Sequence, residues 1–468
     1  MNERSFDVVV IGGGPAGEVA AGKLGGAGLE VALVESDLVG GECSYWACMP
    51  SKALLRPAEA LAEARRIPGA AEAAQGELDV DAVLLRRDEV IHDLDDSSQL
   101  PWLEDRNVEL VRGHGRLDGE RRVRVGDELV LEARRAVIVA VGSGAQLPPI
   151  DGLREAKPWT NREATTAKSV PERLLILGGG VVGVELAQAW ASLGSQVTLV
   201  ELFERVIVRE EPFASELVAD ALREIGVEVR TGSEAVKVTR GEGSVTLELA
   251  DGDSVTGTEL LVAVGRKPHT DDLGVETVGL EPGGLIEVDD TMRVDGQEWL
   301  YAIGDVNGRA LLTHMGKHQA AVAAANILGG DERVGERAHG PLSPRVIFTD
   351  PQVAAVGHTL ESAQKAGIDA VAIDHPTGGV AGSSFYGREA PGTTRFVFDG
   401  KRDVLVGATF VGPDVAELVH AATIAVVGEL PVDRLAQAVP SFPTRSELWL
   451  RLLDSYVEQR ERRPAGVG

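Results

Sequence analysis

The chain runs to 468 residues, 44% of them apolar, with 73 acidic against 46 basic side chains and a formal net charge of −27. That length supplies about three or four domains at roughly 100–200 residues each, and the charge argues against nucleic acid and anionic membranes as partners. No apolar run nears the ~18 residues of a bilayer span, and no apolar leader precedes the first strand, so the chain reads as cytoplasmic.

The first pattern is "FDVVVIGGGPAGEVAAGKLGGAGLEVALVES", residues 6–36. It reads as a buried strand, a glycine-rich turn, a helix and a second strand ending in Glu35. Gly12 makes the tight turn, Gly14 lets backbone approach a pyrophosphate, and Gly17 lets the helix pack on the strand. The helix N-terminus faces the phosphates, and the Glu35 carboxylate accepts from ribose hydroxyls.

Next comes "GGECSYWACMPSK", residues 40–52, with the only two cysteines, Cys43 and Cys48. A disulfide wants Cα atoms about 4.4–6.8 Å apart, while residues i and i+5 of a straight helix point about 140° apart. The pair is therefore expected in an irregular lead-in to a helix that turns regular near Ser51 and Lys52, with Met49 held out of helical geometry by Pro50. A helix N-terminus and a nearby lysine both lower a thiol's pKa. Tyr45 and Trp46 read as core packing; the alternatives are that they narrow the approach to the sulfurs or stack on a planar acceptor. Apolar spacing makes 53–100 helical.

After a strand "RAVIVAVGSG", the first pattern returns without a gap at 172–202. Gly178, Gly180, Gly183 and Glu201 fall where Gly12, Gly14, Gly17 and Glu35 stood, and a strand "ELLVAVGRKP" closes this half too. One glycine pattern is weak evidence; two copies with acidic partners at equal spacing mark two dinucleotide sites. Glu201 would accept from a ribose 2′-hydroxyl and repel a 2′-phosphate, so NADH is expected, with NADPH as the alternative. The nearest cation, Arg205, reads as solvent-exposed or as a counterion to Glu204 or Glu201. From about residue 341 strands, a hairpin and a helix suggest a separate α+β domain, and the end "ERRPAGVG" reads as a disordered tail.

Two dinucleotide folds with Cys-x4-Cys after the first resemble the FAD-dependent pyridine nucleotide–disulfide oxidoreductases, the family of lipoamide dehydrogenase and mercuric reductase. "YAIGDVNGRALLTH" and "PSFPTRSELW" extend the resemblance over nearly the whole chain. It implies an α/β fold of two Rossmann-like domains plus a C-terminal α+β dimerisation domain. The corresponding segments are 1–152 (FAD-binding), 153–274 (NAD(P)-binding), 275–340 (central, completing the FAD site), 341–460 (dimer interface) and 461–468 (tail). It also implies FAD bound by the first glycine turn, by Asp305 on the ribityl chain, and by Gly115, Gly142, Ser143, Leu312, Thr313 and His314. The nicotinamide nucleotide would lie at the second turn with Gly265. Cys48 would be the thiolate at the flavin, Cys43 the interchange thiol, and Lys52 would pair with Glu185 beside the ring. The alternative for Glu185 is an ordinary first-turn helix carboxylate.

The family's His-Pro-Thr-x-x-Glu is altered here. Phe442 stands at the histidine position, while Glu447 keeps its place. Phenylalanine exchanges no proton, and general acid–base catalysis is typically worth about 10²–10⁴-fold, so lipoamide and glutathione become poor substrates. The implied activity is electron transfer from NADH through FAD to Cys43–Cys48 and on to a small-molecule acceptor in a homodimer, with no resident metal. Quinones, soft metal ions or a small disulfide with a good leaving thiol fit. Alternatives are a quinone reductase or diaphorase using the flavin directly, a mercuric reductase-like enzyme lacking that family's extra C-terminal cysteines, and a flavoprotein whose redox state controls partner binding.

Overall fold

The computed structural model describes residues 2–387 and 392–462. By contact the chain divides into two units. The first comprises the residues up to Pro50, Leu85–Gln146 and Gly265–Pro341; the second comprises Ser51–Leu84, Leu147–Val264 and the residues from Leu342 on. Residues 51–84 thus group with the second unit, although in sequence they stand within the 1–152 segment.

The first unit is built on a parallel sheet in the order Val108–Arg112, Val31–Glu35, Asn2–Ile11, Leu129–Val139 and Leu300–Ala302. The first half of Leu129–Val139 also carries an antiparallel meander of Arg122–Val125 and Gly115–Leu117. Successive side chains point to opposite faces and both faces are covered, so these strands read as continuous apolar runs. Val8, Val10 and Ile138 pack with Leu24 and Ala320 of the helices Pro15–Gly26 and Thr313–Ile327. Val9, Ile11, Val137 and Val139 pack on the other face with Val123 and Leu131.

The second unit holds a parallel sheet in the order Glu228–Arg230, Gln196–Val200, Arg173–Leu177 and Glu259–Val262. It also holds a three-stranded antiparallel sheet and a five-stranded antiparallel one, the latter in the order Arg345–Ile347, Gln352–Gly357, Val404–Gly412, Thr393–Asp399 and Ala370–Pro376. The helical expectation for 53–100 is met in part, by Cys48–Arg66 and Val80–Val90; residues 67–79 are turn and irregular, and only short turns follow Val90 before Leu100.

The expected tail at 461–468 starts too early. The last helix, Leu448–Arg462, buries Leu448, Leu452, Leu453 and Tyr456, and Arg460 on its final turn bonds to Asp403. The rest of that segment lies outside the described residues. No described helix is long and apolar enough to cross a membrane.

Candidate active site

The repeated glycine turns are duplicates in geometry as well as in sequence. Gly12 and Gly178 have φ of +104° and +110°, and a Cβ on either would stand 2.4 and 2.5 Å from the carbonyl oxygens of Ala140 and Ala263. A Cβ on Gly17 or Gly183 would meet the Gly12 or Gly178 carbonyl oxygen at 1.9 Å. Gly14 and Gly180, by contrast, face open space, and as N-caps they supply no side-chain hydrogen bond to their helices. Two uncapped helix N-termini behind side-chain-free loops fit a pyrophosphate.

Each turn is closed by its carboxylate. Glu35 Oε2 accepts from Gly13 N–H at 2.6 Å and Oε1 from Asp37 N–H at 2.7 Å. Glu201 does the same with the N–H groups of Gly179 and Phe203, and it is buried. Each oxygen keeps a further lone pair for a ribose hydroxyl. Arg205 is neither free nor a counterion to Glu204 or Glu201. Its guanidinium donates to the carbonyls of Val208 and Glu210, both at 2.9 Å, and to the Ser215 hydroxyl at 3.0 Å. Those donors are spent on two carbonyls and a hydroxyl, which leaves a 2′-phosphate facing Glu201 without this cation and favours NADH.

The short helix Gly41–Tyr45 carries Cys43, and a second helix begins at Cys48 and runs to Arg66. The break lies at Trp46, with φ −133° and ψ −2°. It replaces the divergence of a continuous helix with a hydrogen bond between the two unbridged thiols. Regular helix starts earlier than expected, at Cys48 rather than near Ser51. Met49 is helical because Pro50 falls in the first turn, where its missing N–H has no intrahelical partner to lose. Tyr45 and Trp46, 1% and 7% exposed, pack with Ile91 and Leu38, so the packing reading holds.

Thr313 is the residue that ties Cys48 to the helix Thr313–Ile327. Its Oγ1 lies 3.4 Å from Cys48 Sγ, and it opens the uncapped helix Thr313–Ile327. Leu312 is its N-cap and His314 is exposed on its first turn. The bond to Cys48 and burial push the Cys43 thiol up from its ordinary value.

Asp305 accepts from the Ser143 hydroxyl at 2.6 Å, and burial pushes its carboxyl up. Arg266, which sequence reading passed over, donates to Ser143 Oγ at 2.7 Å and lies 3.6 Å from both Glu42 and Asp305. Its one sequence signal was a cation directly after the closing strand's glycine. Gly142, at φ +68°, faces open space beside this cluster. Gly265 lies in the first unit, its carbonyl accepting from Gln146 N–H at 2.9 Å. Gly115 is fixed by packing: a Cβ there would stand 2.9 Å from Val34 Cγ1 and 3.0 Å from Ile11 Cγ2.

Lys52 donates to Glu185 Oε2 at 2.6 Å, and its Nζ lies 4.8 Å from the centre of the Phe348 ring. Glu185 Oε1 accepts from Phe348 N–H at 2.9 Å. Glu185 is 3% exposed, which disposes of the ordinary helix carboxylate. Phe348, also missed, lies far along the chain and gave no local signal.

Phe442 is 76% exposed. Glu447 is committed to backbone: its Oε1 accepts from Gly382 N–H at 3.0 Å and from Thr444 N–H at 3.2 Å. No group of three or more His, Cys, Asp or Glu among the described residues could hold a metal ion.

Comparison with known proteins places these features in one lineage. The Pyridine nucleotide-disulphide oxidoreductase pattern matches residues 6–325, and its dimerisation-domain pattern matches 343–452. The dihydrolipoyl dehydrogenase of Thermus scotoductus is 34% identical over 453 residues, covering 95% of this chain and 96% of that one. A mercuric reductase of Lysinibacillus sphaericus is 29% identical, covering 96% and 82%. The Cu(II) complex of the HOCl-induced flavoprotein disulfide reductase RclA from Escherichia coli superposes with a TM-score of 0.85 at 25% identity, covering 97% and 100%.

Proposed function

Because the chain belongs to the pyridine nucleotide-disulphide oxidoreductase family, we propose that it is an NADH-dependent enzyme passing electron pairs through a Cys43–Cys48 disulfide to an acceptor that needs no proton from a histidine. FAD and a nicotinamide nucleotide are its cofactors; when bound, they supply hydride transfer and two-electron delivery to the disulfide. Within the chain, Cys43 holds the proton of the reduced pair and Cys48 carries the negative charge beside Thr313. Lys52 and Glu185 fix one charged group against the other, and Asp305, Ser143 and Arg266 form the polar cluster for a ribityl chain. The match of the dimerisation domain, with Phe385, Ile424, Val427, Val439 and Phe442 exposed within it, supports a homodimer.

The observation that carries the choice of acceptor is Phe442. The pair of thiols is assembled, yet the position that would hold its base has an exposed hydrocarbon ring, and Glu447 is taken by backbone. A dithiol without that base suits acceptors that take electrons without a leaving thiol to protonate, either a quinone or a redox-active metal ion. The Cu(II) complex of the similar reductase favours including copper among them.

An acceptor panel at fixed NADH tests this. Turnover with a quinone or Cu(II) should exceed turnover with lipoamide. The Phe442→His enzyme should gain lipoamide activity toward the lower end of the roughly 10²–10⁴-fold that an acid–base group is worth. Lipoamide as the fastest wild-type acceptor would overturn the reading.

A further inference from the structure

Gln319, on the helix Thr313–Ile327, is fully buried and has no part in the mechanism above. Its Oε1 accepts from Gly304 N–H at 2.8 Å and from Asn307 Nδ2 at 2.9 Å. Those two residues are the ends of the turn Gly304–Asn307, which carries Asp305. On its other side, Gln319 Nε2 lies 3.3 Å from Nε2 of His339, which is also buried. Helix and turn are in close contact here: a Cβ on Gly316, one helical turn before Gln319, would stand 3.4 Å from Gly304 Cα.

Backbone groups force the donor and acceptor roles in this network. A peptide N–H only donates, so the Gln319 atom beside Gly304 N–H is the amide oxygen. Asn307 is pinned likewise: its Nδ2 donates to the Ala302 carbonyl at 3.0 Å and its Oδ1 accepts from Arg309 N–H at 3.0 Å. The Gln319 NH2 group is thus turned to His339, whose Nε2 must accept, and an imidazolium has no nitrogen left to accept with. Protonating His339 would set two donors against each other. Rotating the Gln319 amide would only move that conflict to Gly304 and Asn307. The surroundings suit the neutral ring. Burial pushes His339 down from its ordinary value, Arg309 and His318 push the same way, and Asp290, which pairs with Arg309 at 2.8 Å, opposes them.

We propose that Gln319 and His339 are positioning residues of the flavin site, the neutral imidazole orienting the amide that holds the Asp305 turn, so that protonation of His339 weakens FAD binding. Both act on Asp305 through Gly304 and Asn307. FAD selects the turn that the neutral ring supports. Affinity is therefore full above the ordinary histidine value of about 6.5 and falls as pH drops below it. The inference rests on the placing of the ribityl chain at Asp305 and holds for any electron acceptor.

The test is the dissociation constant of FAD against pH, read from flavin fluorescence as the holoenzyme is diluted. Between about pH 7.5 and about pH 5 the wild-type constant should rise about tenfold, the scale of one buried hydrogen bond. His339→Gln, whose amide oxygen accepts at every pH, should keep the wild-type affinity of neutral solution and lose the acid dependence. Gln319→Glu should lose it as well, because a carboxylate accepts from Gly304, Asn307 and an imidazolium together. Gln319→Leu, which leaves both donors of the turn without this acceptor, should weaken FAD about tenfold at neutral pH. An acid dependence unchanged in His339→Gln and Gln319→Glu would put the titration on another group, such as Asp305 itself, and would overturn the inference. Wild-type affinity in Asp305→Ala would overturn the placing of the flavin as well.

Discussion

A Cys43→Ser enzyme is expected to lose disulfide-dependent acceptor reduction by on the order of 10⁴-fold, the scale on which one member of a catalytic unit is missed. The break at Trp46 exists in geometry to bring Cys43 to Cys48, and the thiols hydrogen-bond each other. With serine at 43 no S–S bond can form, while Thr313 still holds Cys48. Cys48 then has no partner to consume its charge, so long-wavelength absorbance should be present before NADH is added. Steady-state rates with a quinone and with Cu(II) check the first point, and a spectrum of the resting enzyme checks the second. Quinone turnover at the wild-type rate would mean that this acceptor takes electrons from the flavin directly, as in a diaphorase.

Lys52→Met should destabilise the holoenzyme by about 3 kcal/mol, the low end of the cost of orphaning one member of a buried ion pair. The low end applies because the Lys52 side chain is 34% exposed, whereas that of Glu185 is 4% exposed. After the change Glu185 keeps the Phe348 N–H but loses the Lys52 ammonium at 2.6 Å, and Phe348 loses the cation over its ring. The double variant Lys52→Met/Glu185→Leu should recover most of the loss, since a buried pair replaced whole by apolar groups is often close to neutral. Thermal unfolding of the three proteins side by side measures both effects. A double variant as unstable as the single one would show that the pair contributes through packing rather than through charge.

What was legible in the sequence was what short-range sterics dictate. The two glycine turns could be read because a carbonyl oxygen 1.9 Å from a would-be Cβ leaves one residue type at Gly17 and Gly183. The period-two strands around them could be read because both sheet faces are covered. The cysteine segment was half legible. Helical geometry required a break between Cys43 and Cys48, but the rule for residues before proline put the restart too late, since a first turn has no N–H for proline to remove.

Contacts made across long stretches of chain were invisible to local pattern. The Lys52–Glu185 pair joins residues 133 apart and came only from family resemblance. Arg205 reads from sequence as solvent-exposed or as a counterion to Glu204 or Glu201, whereas its guanidinium donates to the carbonyls of Val208 and Glu210. Arg266 and the Thr313 hydroxyl went unread in the roles they hold, because nothing nearby in sequence marks a cation for Ser143 or a hydroxyl for a sulfur.

The most direct measurement is an anaerobic NADH titration of the FAD-loaded enzyme with thiols counted at each step. One equivalent should raise accessible thiols from none to two, with long-wavelength absorbance growing while the flavin stays oxidised. A flavin bleached by that first equivalent, with the thiol count unchanged, would contradict the account.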